Sequence, residues 1–169
     1  LCMHPFCRNA VATMDWGGVI LNRHLSRDNK SRHTRKTTDI FELASGITNQ
    51  SYIQCAALCP NNLTEVPQFE LDFLRTLPSS WDETRFIDGF PGKYVVLARR
   101  HEDQWYVAAL NAQKEPLSLT INLPMFANTT LTYYVDDKNG NPTKTTLKTD
   151  KQGRAKITIQ PNGGAILMK

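Results

Sequence analysis

No apolar run in this chain approaches the ~20 residues of a membrane-spanning helix, and no charged start followed by an apolar stretch resembles a secretory leader. Any targeting information is therefore expected elsewhere or not at all. An initiating Met is missing too: the chain starts at Leu1, as expected of a piece cut from a longer protein. Extremes of composition are absent, with 40% hydrophobic and 21% charged residues, which argues against disorder, collagen and coiled coil. Cysteine is sparse, and neither Cys2 with Cys7 nor Cys55 with Cys59 has the two-residue spacing of common zinc knuckles. A zinc site built from Cys2, His4, Cys7 and Cys55 or Cys59 is therefore disfavoured. Cys55 and Cys59 lie in or beside the apolar run 53–58 and are expected to be small buried thiols.

Charge imbalance is slight, at +4, and is concentrated in residues 23–36. Arg23, Arg27, Lys30, Arg32, Arg35 and Lys36 stand there against the single Asp28. No aromatic residue is interleaved to stack bases, so a solvated surface loop is expected rather than a nucleic-acid interface.

What is present divides by period. In the first half a short apolar run at 10–14 is broken by Gly17 and Gly18. Asp39 and Glu42 resemble a capping box, and Ile40, Leu43, Ala44 and Ile47 follow at helical spacing. Residues 53–58 read as a strand covered on both faces. A second helix runs from about Gln68, with Phe69, Phe73, Leu74 and Leu77 on one side, until Pro78 stops it. The pattern is βαβα, and two such units cannot bury both faces of a sheet; a closed (β/α)8 barrel takes about 250 residues. In the second half, strands are expected at 94–99, 105–110, 117–123, 131–135, 143–148, 156–159 and 165–168, separated by Gly-, Asn- and Asp-rich turns. Seven short strands without intervening helix indicate an antiparallel sandwich able to close a two-layer core by itself. The fold class expected is thus an α/β remnant, the last βα units of a TIM-type barrel, followed by an all-β antiparallel sandwich. The boundary falls near residues 78–92.

Several stretches occur in one register: Pro5-Phe6-Cys7-Arg8-Asn9, Met14-Asp15, Thr37-Thr38 before Phe41-Glu42-Leu43-Ala44, Trp81-Asp82-Glu83-Thr84-Arg85, and Pro91-Gly92-Lys93-Tyr94 running to Arg100. Together they resemble the C-terminal end of glycoside hydrolase family 97, enzymes of α-glucosidase and α-galactosidase type. The resemblance covers essentially the whole chain and is strongest from 77 to 111. It implies that residues 1–80 end a (β/α)8 catalytic barrel and that 81–169 form a C-terminal β domain supporting the barrel or oligomerisation. It implies removal of a terminal sugar from an oligosaccharide, by an inverting or a retaining route, beside a calcium ion held by glutamates. It implies a bacterial protein of the periplasm or exterior. The family's acid, base or nucleophile and its calcium ligands precede the Pro-Phe-x-Arg stretch, so no catalytic residue and no metal ligand is expected in this chain, which alone would be inactive. One departure bears on the sugar subsite near this loop: relatives often continue Met-Asp as Tyr-Thr-Pro, and this chain has Trp16-Gly17-Gly18.

Glycoside hydrolysis needs two carboxyl groups roughly 5 to 10 Å apart across the scissile bond. Asp82 and Glu83 are adjacent at the domain junction, where pinning the β domain to the barrel is the expected role. Asp15 follows a candidate barrel strand at its C-terminal end, where barrel enzymes place active-site residues, and is a substrate-lining candidate. Arg8 is a second, against a buried arginine paired with a barrel carboxylate. The alternative reading is a non-catalytic carbohydrate-binding or assembly module. In it, Trp105-Tyr106 and Tyr133-Tyr134 each send one ring to the core and one outward.

Overall fold

The computed structural model describes residues 1–49 and 51–169. A 3-10 turn (His4–Phe6) and the short helices α1 (Arg8–Val11) and α3 (Asn62–Glu65) accompany two longer helices, α2 (Asp39–Thr48) and α4 (Gln68–Thr76). Eight strands follow: β1 (Glu83–Phe90), β2 (Tyr94–His101), β3 (Gln104–Asn111), β4 (Leu117–Asn122), β5 (Thr130–Asp136), β6 (Pro142–Lys148), β7 (Arg154–Ile159) and β8 (Gly164–Met168). A six-stranded antiparallel sheet runs in the order β1-β2-β3-β8-β5-β6, and β4 pairs with β7 in a separate two-stranded layer.

Helix α2 begins one residue earlier than the Asp39 signal suggests. Thr38 is the N-cap, its Oγ1 accepting from the Phe41 amide at 3.2 Å. Glu42 closes no reciprocal box; it accepts instead from the Thr37 hydroxyl and the Ile20 amide. Asp39 and Glu42 in the first turn oppose the positive end of the helix dipole.

The six-stranded sheet is covered on both faces. Val95, Leu97, Tyr106, Ala108, Leu110 and Ile166 face Ile40, Leu43, Ala44 and Ile47 of α2. Val96, Ala98, Val107, Ala109 and Leu167 face Ile121, Ile157 and Ile159 of the β4–β7 layer. Burying each such aliphatic chain stabilises by about 1.5 to 3 kcal/mol. The last ~80 residues do close a two-layer core between the six-stranded sheet and the β4–β7 layer, and the other face of their sheet is closed by a helix from the first half.

Where α2 crosses β8 the two backbones nearly touch. A β-carbon on Gly164 would lie 2.5 Å from the Ile40 carbonyl oxygen and 2.7 Å from the Phe41 Cα. Gly164→Val is therefore expected to lower stability by roughly 3 kcal/mol, the upper end of ordinary overpacking. A urea unfolding midpoint equal to that of the wild type would mean that α2 does not rest on β8.

Strand β1 is absent from the sequence expectation. It is an edge strand whose residues are exposed or half-buried, and its register shifts between Phe86 and Asp88, so no clean alternation marks it. In the first half, residues 10–14 form the end of α1 and an extended tail rather than a strand. Residues 53–58 contribute one parallel bridge, Trp16 with Gln54, and Ile53 is 63% exposed. The expectation of a strand covered on both faces is corrected accordingly. Parallel strands are stable when flanked and covered, and here the segment has one neighbour.

Candidate functional site

Residues 15–18 and 53–57 lie side by side and parallel. The Trp16 amide donates to the Ile53 carbonyl at 3.0 Å, Cys55 N to Trp16 O at 2.8 Å, and Ala57 N to Gly18 O at 2.9 Å. Each segment leads through a loop into a helix, α2 or α4, giving two consecutive βα units. The Trp16 indole lines a cavity of about 420 Å³ with Ile53, Leu74 and Leu77, on the α4 side. It folds back over Gly18, where a β-carbon would come within 2.4 Å of the ring, so Trp16 and Gly18 form a unit. Asp15 alternates with Trp16 and is exposed. Arg8 lies on α1, also exposed, and makes no ion pair among the described residues.

Asp82 and Glu83 are bound into a web of arginines. Glu83 accepts from Arg85 Nε at 2.6 Å and from Arg100 Nε at 3.4 Å. Asp82 accepts from the Glu102 amide at 2.6 Å and lies 3.7 Å from Arg100 Nη1. The Arg85 hydrogen bond, more than any other contact, holds the Glu83 carboxyl below its ordinary range. A carboxylate so held is ionised and engaged, the wrong state for a general acid.

The most perturbed groups are ones that the sequence did not single out. Glu70 on α4 is fully buried, and neither carboxylate oxygen has a hydrogen-bond partner among the described residues. Burial first, then the charges of Asp39 and Asp136, pushes its pKa up to about 8, against the pull of Arg35. Asp136, at the end of β5, accepts from the Thr38 hydroxyl at 2.6 Å and the Gly164 amide at 3.0 Å. Burial nevertheless raises it to about 6. Arg99 on β2 is buried, and its pKa is lowered to about 10 by burial. Arg35, from the basic segment, is not solvated as expected: it donates to the Ile20 carbonyl at 2.8 Å and pairs with Asp39.

The cysteines also depart from expectation. Cys55 is exposed and Cys59 half-buried, whereas Cys2 is buried and its Sγ donates to the Leu110 carbonyl at 3.7 Å. Among the described residues no three His, Cys, Asp or Glu side chains are grouped to hold a metal, and no helix is long and apolar enough to cross a membrane. Nor do the aromatic pairs behave as one-in, one-out. Tyr133 and Tyr134 are both buried, because the sheet is covered on both faces, and Trp105 carries the Arg85 guanidinium 4.6 Å above its ring. Neither pair offers a free ring to a sugar.

The family model described as the C-terminal, oligomerisation region of glycoside hydrolase 97 matches residues 80–168. The chain belongs to glycoside hydrolase family 97. Across 99% of its length it superposes with a TM-score of 0.96 and 51% identity on 27% of a crystal structure described as a β-arabinopyranosidase. Across 98% it is 26% identical to 26% of a retaining α-galactosidase of Bacteroides thetaiotaomicron. A family 97 enzyme from Pseudoalteromonas, solved with panose, matches 99% of the chain at 21% identity and a TM-score of 0.81, over 28% of its own length; this last likeness concerns the fold. The chain thus spans about a quarter of these relatives. Within this family 97 region, the matched C-terminal segment starts beside Trp81 and takes in the Asp82–Glu83 web.

Proposed function

We propose that the chain is the C-terminal portion of a family 97 glycosidase that releases terminal β-L-arabinopyranosyl or α-D-galactosyl residues, the acid, nucleophile and calcium ligands being supplied by other parts of the enzyme. The 51% identity over essentially the whole chain to a β-arabinopyranosidase carries this reading. The two sugars share one ring configuration; the galactoside adds a hydroxymethyl group at C5. A single pocket can therefore accept both, while a glucoside inverts the hydroxyl at C4 and leaves its hydrogen-bonding partner unsatisfied.

In this reading, residues 1–80 complete the barrel and residues 81–169 hold its end through the sheet against α2. Asp15 lines the sugar site in this reading, a role supported by its exposure beside Trp16, where the paired segment begins. Arg8 serves as a second lining group. The residues of this chain do not fit calcium, since no acidic trio is assembled among the described residues. Assembly with a second copy through residues 80–168 is a parallel role, favoured by the description of the matching family region. Export from a bacterial cell accords with a polysaccharide-derived substrate.

The enzyme encoded by the complete reading frame, assayed with calcium, is expected to hydrolyse 4-nitrophenyl β-L-arabinopyranoside and α-D-galactopyranoside. The α-D-glucopyranoside is expected to be slower by about 100-fold or more in kcat/KM. A preference for the glucoside would refute the substrate assignment.

A further inference from the structure

Along β2 the face turned toward the first half carries Val95 and then Leu97, both buried. Arg99 continues that row where an aliphatic residue would be expected. It is 2% exposed, its Nε and Nη1 have no hydrogen-bond partner among the described residues, and it forms no ion pair among them. The nearby Trp81 ring, 5.8 Å from the guanidinium carbon, supplies a cation–π contact. That contact satisfies no N–H. Leaving a buried charge without a counter-charge typically costs several kcal/mol, so a guanidinium kept in this place calls for an anion.

A cavity of about 250 Å³ opens beside it, lined by Arg99, Leu97, Thr84, Phe6 and Phe86. Its walls come from both halves of the chain, the Pro5–Phe6 turn and the β1–β2 face. Pro5, Ala10 and Phe86, the last 59% exposed, add apolar surface to its lining beside Asn9. Apolar surface gathered around a buried cation suits a protein segment carrying a carboxylate better than solvent or a hydrated ion.

We propose that the Arg99 cavity is a carboxylate socket, filled by an acidic side chain from the part of the enzyme that completes the barrel. The guanidinium fork then takes the carboxylate, while Phe6 and Phe86 enclose its apolar stem. The socket couples three parts of the enzyme: the β domain, the Pro5–Phe6 turn and the remainder of the barrel. Its occupant rests on the reading of this chain as part of a longer family 97 enzyme; the capacity to take a carboxylate does not.

The test has two arms. In the 169-residue chain with 15N-labelled arginine, sodium propionate is titrated against sodium chloride at matched ionic strength. The Arg99 Nε–H resonance, assigned by its loss in Arg99→Met, is expected to shift saturably with propionate and not with chloride; absence of that shift overturns the socket. Should Arg99→Met fail to fold, Arg99→Lys, which keeps the charge and removes the Nε–H and the fork, makes the assignment. In the product of the complete reading frame, propionate is expected to have no effect on the melting temperature. Substitution of Arg99 should lower that temperature by several degrees more than in the 169-residue chain. Equal losses in both proteins, or a propionate effect that persists in the longer one, would show that no side chain fills the socket.

Discussion

Glu70→Gln is expected to abolish most of the loss of stability that the chain suffers as pH rises from about 4.5 to 8. The carboxyl is raised from 4.5 to about 8 in the folded protein. The folded state therefore holds its proton where the unfolded state has released it. Its contribution is fully present below about pH 4.5 and is gone once pH has passed through about 8. Such a shift corresponds to something on the order of 5 kcal/mol. Asp136 adds a smaller loss of the same sign, between 3.8 and about 6.

The charges facing Glu70 come from three elements. Asp39 at the start of α2 and Asp136 at the end of β5 repel the ionised form, and Arg35 in the preceding loop favours it. Glutamine imitates the protonated carboxyl without its titration. At about pH 5 wild type and variant should unfold at similar urea concentrations, and at about pH 9 the variant should be the more stable by a few kcal/mol. Parallel curves across that range would mean that Glu70 is solvated or paired in solution. Glu65 and Glu83, whose pKa values are lowered by Asn61 and Arg85 first, weaken the fold as pH falls. The difference between the two proteins isolates the opposite trend.

Glu70 also shows what sequence could and could not convey. Helix α4 was legible from Phe69, Phe73 and Leu74 at helical spacing and from Pro78 as a stop. A glutamate within that pattern reads as solvent-facing, and nothing local reports that α4 is wedged against Tyr134 and α2. Asp136 lies just beyond the strand expected at 131–135, and Arg99 ends the strand expected at 94–99. Asp136 meets partners 98 and 28 positions away, Thr38 and Gly164, and Arg99 is covered by Trp81 and the Pro5–Phe6 turn.

The strands after Tyr94 were legible because turn residues such as Gly140 and Gly153, both at positive φ, punctuate alternating runs. Gly153 cannot be otherwise: a β-carbon there would lie 2.2 Å from the Leu123 carbonyl oxygen. The one-in, one-out expectation for Tyr133 and Tyr134 failed because alternation gives the face of a residue, not whether that face is covered. The family was legible from motifs. The buried groups were not, since their state is set by tertiary packing rather than by neighbours in sequence.

In the proposed reading, the acid and nucleophile of this family 97 enzyme lie outside the 169-residue chain. The most direct measurement of that claim is the hydrolysis of 4-nitrophenyl β-L-arabinopyranoside and α-D-galactopyranoside by the purified 169-residue chain. The assay contains calcium, and the product of the complete reading frame is run beside it. Loss of an acid/base partner alone costs about 10²- to 10⁴-fold, and loss of the barrel that positions the substrate removes much of the rest. The expected result is turnover by the long protein and none above background by the short one. Turnover by the short chain that disappears on Asp82→Asn or Glu83→Gln would contradict the claim, moving the active site into the arginine web at the junction.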